Sequence, residues 1–447
     1  MRKILLVIST CLIIFLIGID AKGAQLLFKP ELIVSGEYSD NIFLTSEDET
    51  EDVIGTAGIG INGQMLGRTY GIEFNYVPIF NAFEENTDLN YWRHSARLNI
   101  YKLFSRNTRF SFTNDYLDTE SPRDETTDFY PEDPAQGPGI GEDPYRRGRS
   151  RYRVFASEMS LNSQIGERDL IEVLFGYSFL EDVDIVESEP VNDYTELKPI
   201  IRFDYWFTQM WGMESEIYYS NREYEDRNDR EEYTGFLRVK HSFNRAFTIF
   251  AEYRHTTLKY QRDYDLTSGS NYTVHEPGIG LILNFRDNTR LLVSAGYLFQ
   301  HIEGAQSDDD YGWILNAELA KRWNFKQSYI ETTAGSGYQI QDRGVEDLGL
   351  NIYFEGKITI GYSITNHIDF DIYGGYRYDD FPNEDPERND NTYDLGAALR
   401  WQALQWINLE FNYNYQNFDS EDDTNSYEEN SVVLRFTIAP AVPYRLN

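Results

Sequence analysis

The sequence has 447 residues and a formal net charge of -34 at pH 7, from 74 Asp and Glu against 40 Lys and Arg, and so acidic a surface excludes a partner held by phosphate neutralisation, nucleic acid above all. Aromatic residues make up 15% of the chain, with 34 Tyr and 28 Phe, a weight of tyrosine that suits the interfacial girdles and wet interior of a membrane barrel better than a soluble core. The single cysteine, Cys11, lies in an N-terminal apolar run, which leaves the chain after it without disulfides or a cysteine metal site.

Arg2 and Lys3 precede that apolar run, 4–19, and the small residues Ala21, Gly23 and Ala24 follow it. Residues 1–24 therefore read as a secretory signal peptide. The rival reading is a membrane anchor, but the run is shorter than the ~20 residues a spanning helix needs. The barrel domain is expected over 25–447, where no second apolar stretch is long enough for a membrane helix, so any crossing must be made by strands.

Period-2 alternation runs through these segments. Leu350, Ile352, Phe354, Ile358, Ile360 and Tyr362 face one way, against Asn351, Tyr353, Glu355, Lys357 and Thr359. Ile368, Phe370, Ile372, Tyr376 and Tyr378 repeat the pattern, as do Ile407, Leu409, Phe411, Tyr413 and Tyr415, and this is a strand signal. Short polar turns are predicted around Gly67-Arg68, Arg106-Asn107, Gly166-Glu167, Met210-Trp211, Asn244-Arg245, Asp287-Asn288, Asn324-Phe325, Thr365-Asn366 and Leu404-Gln405. They alternate with longer acidic connections at a spacing of about 40 residues, two long strands per repeat, where a propeller blade would show four short ones. The fold expected is all-β: a transmembrane antiparallel up-and-down β-barrel of about 20 strands (18 to 20), with both termini periplasmic. Pro78 and Pro199 fall inside expected strands and read as bulges or strand ends, because proline removes a ladder hydrogen bond. The chain runs past Leu434, Phe436 and Ile438 through Pro440 and Pro443 to Asn447, without the terminal aromatic residue of many such barrels, which points to an internal assembly signal.

A barrel this wide is not filled by its own side chains, so its lumen is a water channel or is plugged. The candidate lumen lining is Arg97, Arg202, Arg238, Lys240, Arg254, Glu318, Glu355, Lys357, Asp371, Arg377, Arg400, Glu410 and Arg435, with Glu73, Glu172, Glu196, Asp204, Glu252, Asp369 and Asp394 on the same inward positions. One reading is an ion-paired hydrophilic wall; the other is a lumen that guides a polyanionic or polyhydroxyl chain by bidentate arginine contacts and tyrosine stacking.

The excess acid falls in the connections, at Asp40 and Glu47 to Asp52, Glu181 to Glu189, Glu223 to Glu232, Asp308 to Asp310, Glu384 to Asp390 and Asp419 to Glu429. No cofactor is expected beyond calcium or magnesium held loosely there, since no EF-hand spacing is present. The Pro- and Gly-rich connection at about 121–150 reads either as a constriction folded into the channel or as a surface loop. Beside it Arg146, Arg147, Arg149, Arg151 and Arg153 form the dense basic patch of the chain, read either as a site for anionic headgroups or as partners of the acidic loops. The six histidines, His94, His241, His255, His275, His301 and His367, stand apart from any GxSxG or HExxH motif. Only His255 and His275 flank one hairpin, and no catalytic residue is assigned.

The first strand and loop, Pro30-Glu31-Leu32-Ile33-Val34-Ser35-Gly36-Glu37-Tyr38-Ser39-Asp40-Asn41-Ile42-Phe43-Leu44, with the Gly-rich stretch Val53 to Gly63 after it, resemble the outer-membrane barrels called β-barrel porin 2, a family that includes proteins associated with exopolysaccharide and exosortase (PEP-CTERM) gene clusters. The resemblance implies a location in the outer membrane of a Gram-negative bacterium and a part in exporting or retaining a surface polysaccharide. It carries no catalytic or ligand residues. Three functions are left open: a porin-like conduit for polar solutes or a polysaccharide, a structural or binding barrel whose acidic loops organise the surface matrix, and an outer-membrane hydrolase. The partners expected are lipid and lipopolysaccharide, a polar solute or polysaccharide, and a periplasmic export protein.

Overall fold

The computed structural model describes residues 23–122, 149–183, 193–225, 228–261, 271–285, 289–302, 310–343, 346–382, 388–421 and 425–446. The expected signal peptide, the turn at Asp287-Asn288, and most of the 121–150 connection, with Arg146 and Arg147, lie outside them. The strands in chain order are β1 (Gln25–Ser39), β2 (Asp52–Leu66), β3 (Tyr70–Phe83), β4 (Tyr91–Leu103), β5 (Thr108–Thr119), β6 (Tyr152–Gln164), β7 (Leu170–Asp182), β8 (Tyr194–Tyr205), β9 (Trp211–Tyr224) and β10 (Asp229–Ser242). They continue with β11 (Phe247–Gln261), β12 (Tyr272–Asn284), β13 (Arg290–Ile302), β14 (Asp310–Asn324), β15 (Ser328–Arg343), β16 (Glu346–Thr365), β17 (Ile368–Phe381), β18 (Arg388–Leu404), β19 (Ile407–Ser420), β20 (Tyr427–Ile438) and the short β21 (Tyr444–Leu446).

Each strand from β1 to β19 pairs antiparallel with the next, and β1 pairs with both β2 and β20, so the sheet closes into a barrel of 20 strands. Closure leaves no edge, the condition for crossing hydrocarbon with every backbone group satisfied. β21 extends β20 beyond the Ala439–Pro443 interruption: Tyr444 pairs with Phe28 and Leu446 with Leu26, continuing the seam along β1. Thus the segment after Ile438 belongs to the wall and completes its short-turn end.

Face assignment follows from exposure. Ile217, Ile279 and Trp313 are 66%, 70% and 80% exposed, a lipid-facing surface in a chain whose opposite parity carries the charged residues. Aromatic clusters ring this outer face at both ends: Tyr76, Phe80, Trp92 and His94 near the long connections, Trp211, His241, Phe243 and Phe247 at the short turns. The short turns repeat one closure, with Gly67, Phe243 and Phe325 each donating a backbone N–H across the turn to Tyr70, Phe247 and Ser328.

Three sequence expectations are corrected. Pro78 and Pro199 are neither bulges nor strand ends. The β2–β3 ladder skips between Gly58↔Ile79 and Ile61↔Tyr76, and the β8–β9 ladder between Leu197↔Asn221 and Ile200↔Tyr218, while register is kept on both sides. The missing N–H is absorbed by one interrupted ladder. Glu223 to Glu232 is mostly strand, because β9 and β10 run to Tyr224 and from Asp229; Glu232 is then a lumen side chain that accepts from Tyr218. The outer ends of the β9–β10 and β15–β16 hairpins are likewise short, so not every outer connection is long.

Candidate functional site: the lumen wall and its two inward-folded segments

The lumen parity can be followed around the wall by cross-strand partners. Glu172 (β7), Arg202 (β8) and Glu216 (β9) lie in one row, with Arg202 bonded to Glu216 and 3.5 Å from Glu172. Lys240 reaches Asp204 at 2.8 Å and Glu214 at 3.3 Å, and Arg238 reaches Glu214 at 3.5 Å and Glu252 at 2.6 Å. Arg222 pairs with Glu196 at 2.9 Å, and Arg97 with Asp115. On the far arc, Arg377 joins Glu355 at 3.4 Å and Asp379 at 2.9 Å, Arg400 bonds Asp371, and Arg435 stands 3.7 Å from Glu410. The remaining candidates share this face. Arg254 stands opposite Glu276, Glu318 opposite Leu292, and Lys357 opposite Gly375 with its ammonium over the Tyr373 ring.

These bonds join neighbouring or next-neighbouring strands, or, for Arg377 and Asp379, two positions of β17. Among the described residues the ion pairs of the lumen lie along the wall and none crosses the channel. Inward rings are flattened too. Tyr373 lies over Gly396 and Tyr329 over Gly361, each on its direct cross-strand partner, where any Cβ would strike the ring. Their hydroxyls then donate to Asn414 at 2.6 Å and Asp371 at 2.8 Å. Glycine opposite an aromatic ring is the pairing that lets a bulky side chain lie tangentially.

Two segments leave the wall and enter the mouth. The first is the loop after β1. Asp40 accepts from the backbone and side-chain nitrogens of Asn430 at 2.7 and 2.8 Å. Asn41, fully buried, donates to the carbonyls of Thr45 and Glu428 and accepts from the Thr45 N–H. This turns Ile42 onto Ile54, Phe83 and Tyr91, and Leu44 onto Phe418 and Tyr427, all lumen-facing. Leu44 holds a φ of 54°, a left-handed conformation that costs a residue with a Cβ about 1–2 kcal/mol and persists only where surroundings fix it. The phrase that ends the first strand and opens its loop is therefore a clasp across the closing seam. Of the arginine patch, Arg149 donates to the Ile42 carbonyl and stacks on Phe83. Arg151 and Arg153 converge on Asp118 at 2.7 and 3.2 Å.

The second segment is the outer end of the β15–β16 hairpin. The β14–β15 ladder stops at Ala317↔Ser336, whereas β15–β16 continues to Arg343↔Glu346. Below that point odd residues of β15 face the lumen, as Glu331 and Tyr329 show. Beyond it Tyr338, of the lipid-facing parity, packs with the fully buried Leu350 against Leu258, Tyr272, Val274, Leu298 and Ile314. Those five lie on the lumen face of β11 to β14. The hairpin has folded inward, and the side that would have met lipid meets the inner wall. Sequence reasoning missed this seat. A partial signal was available in β13, where Leu292 and Leu298 put large apolar side chains on the inner face as Leu291 and Val293 do on the outer, a mark of a strand covered on both sides.

The histidines stand off the lumen lining. His255 and His275 are cross-strand partners with Nδ1 atoms 3.2 Å apart, on the outer parity beside Tyr253, and His367 sits in a short turn. In the outer connection before β8, Asp193 is pushed up to about 6, chiefly by burial and further by Asp182 and Glu225.

A closed barrel with an apolar belt and a charged inner wall defines a porin-like protein of the outer membrane. Residues 220–439, from the end of β9 through β20, match the family model described as "Putative beta-barrel porin 2", the family that the first strand and loop also resemble, and the barrel is that of a porin-like protein in the outer membrane of a Gram-negative bacterium. No curated protein matches the sequence significantly. Similar solved structures include OccAB3 of Acinetobacter baumannii, 11% identical with a TM-score of 0.40, aligned over 92% of this chain and 99% of that one. OccK8 (OprE) of Pseudomonas aeruginosa is 10% identical with a TM-score of 0.39, over 93% and 98%. A BenF-like porin from Pseudomonas fluorescens Pf-5 is 9% identical with a TM-score of 0.41, over 92% and 98%.

Proposed function

We propose that this barrel is a conduit for polar solutes whose lumen wall is held rigid by its own ion pairs, with Arg97, Arg202, Arg238, Lys240, Arg254, Glu318, Glu355, Lys357, Asp371, Arg377, Arg400, Glu410 and Arg435 as its lining. The observation that carries the reading is the direction of those pairs, along the wall and not across it. Because Arg97, Arg202, Arg238, Lys240, Arg377, Arg400 and Arg435 are matched to carboxylates already, the lining is broadly hydrophilic and does not act as an arginine track for a polyanion. A neutral polyhydroxyl chain suits it better, and export of a surface polysaccharide is the extended form of the proposal, supported by the first-strand resemblance. Lipopolysaccharide at the acidic outer loops, divalent cations loosely associated with them, and a periplasmic export protein at the short-turn end complete it.

A second reading, a structural barrel, is favoured by the two segments folded into the mouth. The outward or turn positions of the histidines support a non-catalytic role for either. Single-channel recording of the refolded protein in planar bilayers decides between them: stable conducting steps that neutral oligosaccharides block support the conduit, and insertion without conductance at any voltage overturns it.

A further inference from the structure

Two imidazoles meet on the outer surface of the barrel. His255 of β11 and His275 of β12 are direct cross-strand partners, with their Nδ1 atoms 3.2 Å apart and their ring centres 4.7 Å apart. The Tyr253 hydroxyl, two residues back on the same face, lies 2.7 Å from the same Nδ1 of His275. On the other side of His255 the Thr257 hydroxyl is 3.2 Å from Nε2. All four share the outward parity of Ile249 and Ile279. Tyr233 stands opposite Thr257 with Tyr219 beside it, and Tyr297 and Trp313 continue the row on β13 and β14. This row is the outer aromatic girdle, the level at which amphipathic rings meet water.

A histidine in such a girdle ordinarily serves as one more amphipathic ring, as His94 does beside Tyr76 and Trp92. The β11–β12 pair has a further property, the spacing of its nitrogens. Two imidazoles that bind one metal ion at ~2.0–2.1 Å, with an angle between square and tetrahedral, hold their nitrogens about 2.9–3.4 Å apart. The separation of 3.2 Å falls inside that range, and the Tyr253 oxygen, slightly short of it, supplies a third donor. The ladders run unbroken past His255 on both sides, from Asp229↔Gln261 to Ser242↔Thr248 and from Phe247↔Leu283 to Leu258↔Tyr272. The donors are therefore set in place before any ion arrives. Thr257 completes the arrangement, because by accepting the Nε2–H of His255 it leaves Nδ1 as the nitrogen with the lone pair. Calcium and magnesium prefer oxygen ligands, whereas imidazole suits zinc, nickel and copper, and copper(II) heads the affinity order for nitrogen and oxygen donors.

We propose that His255, His275 and the Tyr253 hydroxyl form a binding site for a divalent transition-metal ion, copper(II) above the others, at the outer interface of the membrane. The ion joins β11 to β12 through one imidazole from each strand. Its remaining positions are open to water and headgroup oxygens at the surface. The site is separate from the acidic loops and from the lumen, so it stands whether or not the barrel conducts.

The test is copper(II) titration of the full-length, untagged barrel in detergent, read by electron paramagnetic resonance. One bound ion per chain is expected, with superhyperfine splitting from two imidazole nitrogens. His255→Ala and His275→Ala are each expected to raise the Kd by about tenfold or more, at least the loss that follows when a ligand's outer hydrogen-bond partner is removed. Tyr253→Phe raises it by less. His94→Ala, which removes a histidine with a tyrosine contact on the same girdle but no second imidazole, leaves it unchanged. Zinc(II) is expected to displace copper only in excess, and calcium not at all. The splitting is read on the unaltered protein and so does not depend on how well any variant folds. A spectrum with fewer than two nitrogens, equal affinity in the unaltered protein and both histidine-to-alanine variants at β11 and β12, or displacement by calcium at equal concentration overturns the site.

Discussion

Asn41 donates from its side chain to the main-chain carbonyl of Glu428 at 3.0 Å, so a residue of the first outer loop is fastened to the start of the last long strand across the closing seam. The neighbouring Asp40–Asn430 bonds repeat the tie from the other direction. The fully buried Asn41 amide has three bonds satisfied inside the barrel mouth. Asn41→Ala is expected to destabilise the barrel by about 1–3 kcal/mol, the range for leaving buried polar groups unpaired. Urea unfolding of liposome-inserted protein measures it. An unchanged midpoint with an unchanged m-value would show that the clasp contributes nothing to the seam.

The Arg377 guanidinium is nearly inaccessible, between Asp379 at 2% and Glu355 at 14% side-chain exposure. Arg377→Met leaves two carboxylates without their cation and is expected to cost about 3–5 kcal/mol, whereas Arg377→Met with Asp379→Asn recovers most of that loss. The same unfolding assay separates the two. Equal destabilisation in single and double variants would mean that packing, not the uncompensated charge, sets the cost.

The barrel class, the places of most short turns and the alternation of faces were legible because period 2 and the turn chemistry are local properties. Residues such as Lys357 and Glu410 are polar in an alternating strand whatever that strand pairs with. What lay beyond local reading was any feature set by a distant strand. Ile42 reads as one more loop residue until Phe83 and Tyr91 are placed opposite it. Tyr338 keeps lipid-facing parity in the sequence and packs, partly buried, against the inner wall, because the β14–β15 ladder ends two residues earlier. Pro78 was misread for a similar reason: whether a missing N–H disrupts a strand depends on which of its two ladders can give way.

Asp193 provides a pH test outside the membrane span. Its carboxyl is held up at about 6 by burial, with Asp182 and Glu225 adding to the shift, above an ordinary value near 4. A raised folded-state value means the proton is bound more tightly in the folded form, so the contribution is fully present below pH ~4 and is lost as pH rises through about 6. The outer end of the β7–β8 hairpin is therefore expected to open more readily at pH 7.5 than at pH 5. Asp193→Asn, which keeps the acceptor for the Asp182 N–H at 2.6 Å, removes the difference. Amide exchange at Asp182 follows it directly, once rates are corrected for the intrinsic pH dependence of exchange. A variant whose protection still falls between those pH values would assign the effect to another group.

The flattened rings make the last prediction. A Cβ on Gly396 would stand 2.6 Å from Cε1 of Tyr373, too close for any real contact. Gly396→Val must therefore lift the ring from the wall, break its bond to Asn414 and turn an aromatic side chain toward the channel axis. Overpacking of this kind costs about 1–3 kcal/mol, small enough for the barrel to fold. On the conduit reading the variant conducts less per channel than the unaltered protein, while Gly396→Val with Tyr373→Ala returns to the original conductance because there is no ring left to displace. Gly356, whose Cβ would meet nothing closer than a backbone oxygen at 3.9 Å, is the control: Gly356→Ala on the lipid face changes neither conductance nor stability appreciably. If Gly396→Val and its Tyr373→Ala partner conduct alike, the rings do not border the path that ions take, and the lumen that matters lies elsewhere on the wall.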